Sequence, residues 1–447
     1  MAIKSESSAV WSRVDWVMIL PVLGLLLLGT IAIVSAASPL ANYPQILTRH
    51  FFALALGLGA FILGISINYQ IFQDQSRVLY GLTLVIMVGV LLFGETVRGH
   101  KAWFHLPFFS FQPSELARVW MILILANYLD RRGNRVGGLG TLMGAGALVG
   151  SIVALILMEP DFSSALVLCP VVLSLLFVAG TSPVHLLILI SYGGIVSILA
   201  SLWTLCLLHP DIVASSRLAA YLVSISHFNS TLLLTLVGLL AVVYVAWRLA
   251  GWMRLYAPWF YFAVPYFILV VGLCSAVFLN GHIKEYQRRR FMAFLDPSLD
   301  PQGTTYHVNQ ALVAIGSGGL RGKGIFSGTQ SQLGFLPERH TDFIFAVIGE
   351  EMGFIGTMAV LGLYLLMLAR MVHAAELSRD RYGYLVCSGI AAMFGFYLLV
   401  NVGMCLGTLP VAGIPLPFVS YGGSSLVVNL WALGIIGNVY SKRYAFF

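Results

Sequence analysis

The chain has 447 residues, of which 59% are hydrophobic and 10% are charged, and its formal net charge at pH 7 is +7. A soluble domain has about 25% charged residues, so this composition excludes a soluble globular protein. Apolar runs long enough to cross a bilayer as helices recur along the whole chain. The sequence therefore predicts an all-α integral membrane protein, a single polytopic helical bundle rather than three soluble domains.

Twelve apolar segments predict the membrane spans. In chain order they lie near 16–37, 49–68, 78–94, 113–129, 139–158, 163–180, 185–207, 231–248, 257–279, 342–369, 383–403 and 418–438. The first run is too long for the core of a signal peptide and further spans follow it, so it is predicted to be a retained span. The segments 113–129 and 163–180 are the weakest of the twelve.

Lys and Arg residues predict the orientation of these spans, because short cytoplasmic loops are enriched in both. With the N-terminus inside, basic clusters such as Arg131, Arg132 and Arg135 fall in inner loops, and the short outer loops are poorer in basic residues. An even number of spans then places the C-terminus inside as well. The loop 280–341 lies outside in this topology. It is itself basic, but long loops carry little weight in the rule.

The outer loop before the fourth span contains the first candidate site. Arg98, Lys101 and Trp103 lie near the predicted membrane face, where they belong either to an interfacial aromatic belt or to a substrate site. Glu115 and Arg118 are three residues apart and therefore share one helix face. Ionisable groups at such depth are usually paired and face the bundle interior. They predict either a structural ion pair or a substrate contact.

Two further carboxylates, Glu159 and Asp161, lie at the outer junction of two spans. Such pairs occur in solvated turns and also in acid/base or metal sites, and their spacing does not decide between these readings.

The loop 280–341 and the residues that follow it carry cations and one prominent carboxylate. The candidate contacts for an anionic lipid head group are Arg288, Arg289, Arg290, Arg321, Lys323, Arg339 and His340. Asp342 stands where the loop becomes a span. This predicts either a carboxylate favoured by the helix dipole or a general base at a membrane groove. Deeper in the same span, Glu350 and Glu351 need partners or protonation.

Pro and Gly residues between 409 and 425 forbid a plain helix there. Irregular backbone at membrane depth persists only where it is buried in protein or lines a wet cavity. The segment therefore predicts a cavity or a re-entrant element.

Taken together, four of these segments resemble the SEDS family of bacterial shape, elongation, division and sporulation proteins. They are GTQSQLGFLPERHTDF at 328–343, FSFQPSE at 109–115, YQRRR at 286–290 with FLDP at 294–297, and PFVSYGGSS at 417–425. The first is similar to the RodA branch, since the division branch, FtsW, usually differs before its LPExHTDF stretch. The resemblance covers nearly the whole chain in order.

The resemblance implies a glycosyltransferase that polymerises lipid II at the outer face of the bacterial cytoplasmic membrane, in cell elongation and shape control. Undecaprenyl pyrophosphate would be released, and the family's central acidic residue falls on Asp342. A class B penicillin-binding protein is the implied protein partner, and no nucleic acid is expected. No cofactor is certain, although Asp342 could instead bind a divalent cation through its oxygens.

The chain departs from the family pattern at two places. Ser163 and Ser164 stand where the family usually has Gly-Thr. The family typically has ten spans, so residues 207–257 are predicted to be an insertion that brings two more.

Two other functions fit parts of the sequence. A lipid flippase also needs a lipid-facing groove and intramembrane charges, and a scaffold would activate a partner synthase without chemistry of its own. A transporter should depend on residues that reach both faces. The excess of cations in 280–341 instead favours an enzyme with one outer cluster.

Overall fold

The computed structural model describes residues 15–97, 100–105, 109–159, 161–254, 258–282, 288, 294 and 303–443. The helices, in chain order, are α1 (Trp16–Ala37), α2 (Tyr43–Ser66), α3 (Gln70–Asp74), α4 (Ser76–Phe93), α5 (Pro113–Arg132), α6 (Leu139–Met158), α7 (Phe162–Val178), α8 (Pro183–Leu208), α9 (Pro210–Ser215), α10 (Arg217–Ser224), α11 (Ser230–Trp252), α12 (Phe260–His282), α13 (Thr304–Gly318), α14 (Thr329–Gln332), α15 (Ile344–Glu376), α16 (Arg381–Cys405) and α17 (Gly423–Ser441). Three short strands, β1 (Glu95–Val97), β2 (His100–His105) and β3 (Ser110–Phe111), form one antiparallel sheet in the order β1-β2-β3. The sequence analysis did not predict this sheet.

Each of the twelve predicted spans overlaps a helix, and the last of these helices begins at Gly423, five residues after the predicted start at 418. Among the described residues, 10 helices are long and apolar enough to cross a membrane: α1, α2, α4, α6, α8, α11, α12, α15, α16 and α17. The other two, α5 and α7, correspond to the segments that were weakest in the sequence. The predicted polytopic membrane fold is confirmed.

Helix α5 carries charges because other helices surround it. Most of its residues from Pro113 to Leu129 are buried, and it packs against α4, α6, α7 and α16. A helix face that meets protein instead of lipid can hold ionisable groups, which are otherwise costly in a membrane. This location explains why a hydropathy criterion alone passes over α5.

Small residues allow close helix packing in the first of two structural units, which contains residues 1–181 and 307–447. A Cβ added to Gly64 of α2 would lie 2.8 Å from the carbonyl oxygen of Trp431 in α17. One added to Gly29 of α1 would lie 2.6 Å from the Cα of Val419. Such contacts are typical of membrane helix interfaces, where small residues let backbones approach.

Helix α15 is broken at Gly353, whose φ of +68° is left-handed. The segment after α13 lies along this break and pairs with it through backbone hydrogen bonds. The amide of Lys323 donates to the carbonyl of Glu350 at 3.0 Å, and the amide of Phe354 donates to the carbonyl of Gly319 at 2.8 Å. Backbone groups at membrane depth must be hydrogen-bonded within the protein. The segment after α13 supplies hydrogen-bond partners for backbone groups next to the break.

The second unit contains residues 182–306. Trp203, Ile225, Leu232 and Leu273 belong to its buried core, and the Trp203 indole donates to the carbonyl of Leu222 at 2.8 Å. Helices α9, α10 and α11 occupy most of the segment 207–257. That this segment is an insertion remains a prediction.

Candidate active site

Asp342 lies in the turn that leads into α15, two residues before the helix begins at Ile344. The residue is half-buried. Its carbonyl oxygen accepts a hydrogen bond from Nδ2 of Asn401 in α16 at 2.9 Å. The same Nδ2 donates to the carbonyl of Ile414 at 2.8 Å. One buried amide therefore joins the Asp342 turn to the irregular segment before α17.

Residues 409–422 form turns, bends and other irregular backbone, as their Pro and Gly content predicted, and α17 begins at Gly423. Within this segment Leu416 and Val419 are buried, so the irregular backbone is enclosed by protein. The amide of Tyr421 donates to the carbonyl of His340 at 2.9 Å, and the centroids of the two rings lie 5.5 Å apart. The segment thus packs directly beside the Asp342 turn.

The candidate cations of the long loop differ in their partners. The Lys323 Nζ lies 3.0 Å from Oε1 of Glu350, in an ion pair. Arg339 is buried, its Nε donates to the carbonyl of Ala36 at 2.8 Å, and desolvation lowers the pKa of its guanidinium. Arg321 is exposed. Two of these cations therefore have contacts that the fold needs, whereas Arg321 faces the surroundings.

Both acids deeper in α15 have partners, as the sequence required. Glu350 accepts hydrogen bonds from the amides of Gln330 and Ser331 at 2.8 and 3.0 Å, in addition to the Lys323 contact. Glu351 accepts one from Oγ of Ser35 in α1 at 2.6 Å. These contacts fix the segment that contains α14 against α1 and α15. They involve residues of α15 that follow the Asp342 turn.

Glu115 and Arg118 form the expected ion pair within α5. Both side chains are buried, and the guanidinium carbon of Arg118 lies 5.4 Å from the centroid of the Tyr397 ring in α16. The pair therefore joins the start of α5 to α16. Its role toward a substrate remains a prediction.

A carboxylate cluster lies beside this pair, where α7 begins. Asp161 accepts hydrogen bonds from Nε2 of Gln112 at 2.8 Å, from Oγ of Ser114 at 3.1 Å and from the amide of Ser164 at 3.1 Å. Glu159 is fully buried, and neither carboxylate oxygen has a hydrogen-bond partner within the described part of the chain. Burial, with the nearby Asp161 charge, raises the pKa of Glu159 to about 8. The two acids thus have opposite environments.

The remaining predicted substrate residues have other local contacts or fall outside the described ranges. Arg288, in the second unit, is half-buried and donates to the carbonyl of Asn280. Trp103 is half-buried in β2, and Lys101 lies in the same strand opposite Thr96. Three predicted residues fall outside the described residues: Arg98, Arg289 and Arg290.

Two residues of the site were missed in the sequence. Asn401 could have been found, because an amide in the apolar run 383–403 is a polar group that needs a partner inside the membrane. Tyr397 gave no such signal, since aromatic residues occur on most of the predicted spans.

Over the described ranges, no group of three or more His, Cys, Asp or Glu residues is arranged to hold a metal ion. A divalent ion at Asp342 would therefore need phosphate oxygens of a substrate as further ligands, an arrangement that is usual for Mg²⁺. The divalent cation remains a prediction.

Known proteins resemble this chain over almost its full length. The sequence pattern of the cell cycle protein family of FtsW, RodA and SpoVE matches residues 12–226 and 208–445. The peptidoglycan glycosyltransferase RodA of Treponema pallidum is 32% identical over 441 residues, which cover 97% of this chain and 98% of the relative.

Two solved structures have the same fold. One is a chain of a peptidoglycan synthase complex that coordinates polymerization and crosslinking, with a TM-score of 0.66 and 29% identity over 96% of this chain and 98% of the other. The second is the rod shape determining protein RodA of Thermus thermophilus, with a TM-score of 0.60 and 27% identity over 97% of this chain and 99% of the other.

The fold and these similarities define a class, the multi-pass membrane glycosyltransferases of peptidoglycan synthesis. The predicted enzyme class and the resemblance to the RodA branch are confirmed. The chain belongs to the family of FtsW, RodA and SpoVE, the SEDS family.

Proposed function

We propose that the protein transfers the disaccharide of lipid II onto a growing glycan strand at the outer face of the cytoplasmic membrane, in cell elongation and shape control. Undecaprenyl pyrophosphate is the leaving group. The observation that carries this proposal is the position of Asp342, a half-buried residue in a turn fixed by Asn401 at one end of the bundle. The turn leaves the residue half-buried instead of enclosed in the core.

The proposed role of Asp342 is that of a general base. It takes the proton from the 4-hydroxyl of the acceptor sugar as that oxygen attacks the anomeric carbon of the donor. The new C–O bond forms while the bond to the pyrophosphate oxygen breaks, and the electron pair of that bond leaves with the pyrophosphate. A positioned base typically contributes about 10²–10⁴-fold. Pyrophosphate is already a good leaving group, so no second acid is required.

The departing pyrophosphate needs positive charge where its own charge develops. Lys323 and Arg339 already have partners in Glu350 and the Ala36 carbonyl, whereas Arg321 is exposed. Of these three cations, Arg321 is therefore our first candidate for a contact with the substrate, and the other two hold the segments around it.

The proposed topology has both termini in the cytoplasm. Two hydrogen bonds, one at each predicted membrane face, support this topology. Gln112 donates to Asp161 at 2.8 Å, and both lie in segments predicted to be outside. Tyr69 donates to Asp380 at 2.7 Å, and both lie in segments predicted to be inside. Helix ends assigned to the same face thus meet in the fold.

The proposed protein partner is a class B penicillin-binding protein, which would cross-link the strands that this enzyme makes. One of the two similar solved chains comes from a synthase complex that coordinates polymerization with crosslinking. This similarity supports a partnership of the same kind here.

The test is polymerisation by the purified full-length chain, with labelled lipid II and without any partner transglycosylase domain. Wild-type protein should give a ladder of glycan polymers, and Asp342→Asn should give none. Asp74→Asn removes an exposed carboxylate from α3 and serves as the matched control, which should retain the ladder. A wild-type chain that makes no polymer but moves lipid II across a proteoliposome bilayer would be a flippase.

A further inference from the structure

A basic cavity lies between the end of α5 and the beginning of α6, at the opposite end of α5 from Glu115. Its volume is about 380 Å³, and it is lined by Tyr128, Arg131, Arg132 and Arg135. The three arginines are exposed. Within the described part of the chain, none of them forms an ion pair with a carboxylate.

Hydrogen bonds hold Tyr128 and the turn that carries the arginines. The Tyr128 hydroxyl donates to the carbonyl of Thr141 in α6 at 3.2 Å, and the Thr141 hydroxyl donates to the carbonyl of Arg135 at 2.9 Å. The Tyr128 hydroxyl also packs so closely on Gly144 that no Cβ fits there. The turn between the helices bends at Gly133, whose φ is +51°. These contacts hold the turn in one position relative to both helices.

The charges in the cavity are all positive. The guanidinium carbon of Arg132 lies 5.0 Å from the centroid of the Tyr128 ring, and Nε of Arg131 donates to Oδ1 of Asn127 at 3.1 Å. The neighbouring acid, Asp130, does not line the cavity; its carboxylate accepts a hydrogen bond from Nε2 of Gln73 at 2.9 Å and also interacts electrostatically with Arg131. Three like charges within five positions repel one another, and an anion held among them would relieve that repulsion.

We propose that this cavity binds the phosphate group of an anionic phospholipid. A planar guanidinium matches phosphate oxygens in pairs, and basic pockets between membrane helices bind acidic lipid head groups on the cytoplasmic side. The first turns of α6 leave Leu139 and Met143 exposed by 62% and 74%. They offer apolar surface to acyl chains directly after the cationic turn, which a free phosphate would not use.

The test is native mass spectrometry of the full-length chain titrated with phosphatidylglycerol or phosphatidylcholine. The variant Arg131→Gln/Arg132→Gln/Arg135→Gln removes the cationic lining. The matched control, Arg77→Gln/Arg248→Gln/Arg254→Gln, removes the same charge from exposed arginines elsewhere. Each arginine near an acidic lipid contributes about fivefold to affinity. The first variant should therefore bind phosphatidylglycerol roughly 100-fold more weakly, whereas the control should bind like wild type.

Three outcomes would overturn the proposal: an unchanged affinity in the cavity variant, an equal loss in the control, or equal binding of phosphatidylcholine. Displacement of phosphatidylglycerol by an equal concentration of inorganic phosphate would identify a free-phosphate site and also reject the lipid. An acidic peptide that binds the cavity while the lipid does not would point to a protein partner instead. If the triple variant does not fold, the three single variants decide, each with about a fivefold loss expected.

Discussion

Carboxylates at the two ends of the first structural unit differ in their hydrogen bonding. At the end where α16 begins, Asp380 accepts hydrogen bonds from the hydroxyl of Tyr69 at 2.7 Å and from the amide of Gly383 at 2.7 Å. Asp15 accepts two from the guanidinium of Arg370, at 2.9 and 3.1 Å. At the end that contains Asp342, Glu159 is fully buried and, over the described ranges, neither of its carboxylate oxygens is hydrogen-bonded.

The difference rests on Glu159, because Glu115 and Asp161 at the same end have partners. Buried polar groups are nearly always hydrogen-bonded, and each exception needs an explanation. The buried Asp15 obeys this rule, and both Asp15 and the half-buried Asp380 join segments that are distant in sequence. At the Asp342 end the backbone is irregular between 409 and 422, and α15 is broken at Gly353. This end combines irregular backbone with a buried carboxyl, that of Glu159, which has no hydrogen-bond partner among the described residues, and such a combination is typical of a functional site.

The largest expected effect is the loss of activity in Asp342→Asn, and Asp380→Asn should instead lose stability. Asp342→Asn should lower polymerisation by about 10²-fold or more and leave the melting temperature near that of wild type. Asp380→Asn should lower stability by about 1.5–3 kcal/mol, because charge-assisted hydrogen bonds are lost. The folded fraction of that variant should polymerise normally. Lipid II assays and thermal melts on both variants measure the two effects.

The comparison fails if both variants behave alike. An active Asp342→Asn protein would make that residue a helix-start carboxylate only, and an inactive but stable Asp380→Asn protein would extend the functional region to the other end.

The second effect concerns the buried pair in α5. Removing one partner of a buried ion pair leaves an uncompensated charge and costs about 3–5 kcal/mol. Glu115→Gln and Arg118→Gln should therefore each destabilise the protein strongly. The double variant should cost less than the sum of the two, because the partners are in contact. A double-mutant cycle of melting temperatures measures the coupling, and strict additivity would contradict a stabilising contact.

The third effect separates two cations only two positions apart. Lys323→Met should destabilise the protein by about 1–3 kcal/mol, because the fully buried Glu350 loses its counter-charge. Arg321→Gln should change stability by no more than about 0.5 kcal/mol, yet it should lower turnover if Arg321 contacts pyrophosphate. Melting temperatures and initial rates of both variants decide this. Normal turnover in Arg321→Gln would remove the residue from the proposed site.

The sequence predicted the elements of this fold far better than their connections. All twelve apolar segments are helices because the length and apolarity of a span are local properties. The break at Gly353 was not predictable, since its cause is the segment 319–324, which pairs with it from a distant part of the chain. Asn401 itself could be found as a polar group in an apolar run, but its partners could not, because they are two carbonyls in other segments. The sheet β1-β2-β3 was hidden because its aromatic residues also fit an interfacial belt.

At acidic pH, Glu159→Gln is expected to change the melting temperature least of these variants. The informative measurement is how this change depends on pH. The pKa of Glu159 is raised from 4.5 to about 8 by burial, so between these values the folded protein keeps a proton that the unfolded chain releases. Stability contributed by this group is therefore present below pH 4.5 and is lost as the pH rises toward 8. Glutamine has no proton to release, and any cost of burying its amide is independent of pH. The melting temperature of Glu159→Gln relative to that of wild type should hence be lowest at pH 4.5 and below, and it should rise as the pH increases to 8. Asp161→Asn is the matched control. The Asp161 carboxylate accepts several hydrogen bonds, so its neutralisation should destabilise the protein. A pH-independent difference for Glu159→Gln would mean that the Glu159 carboxylate is ionised in the folded protein and has a partner, and the contrast between the two ends would then disappear at this residue.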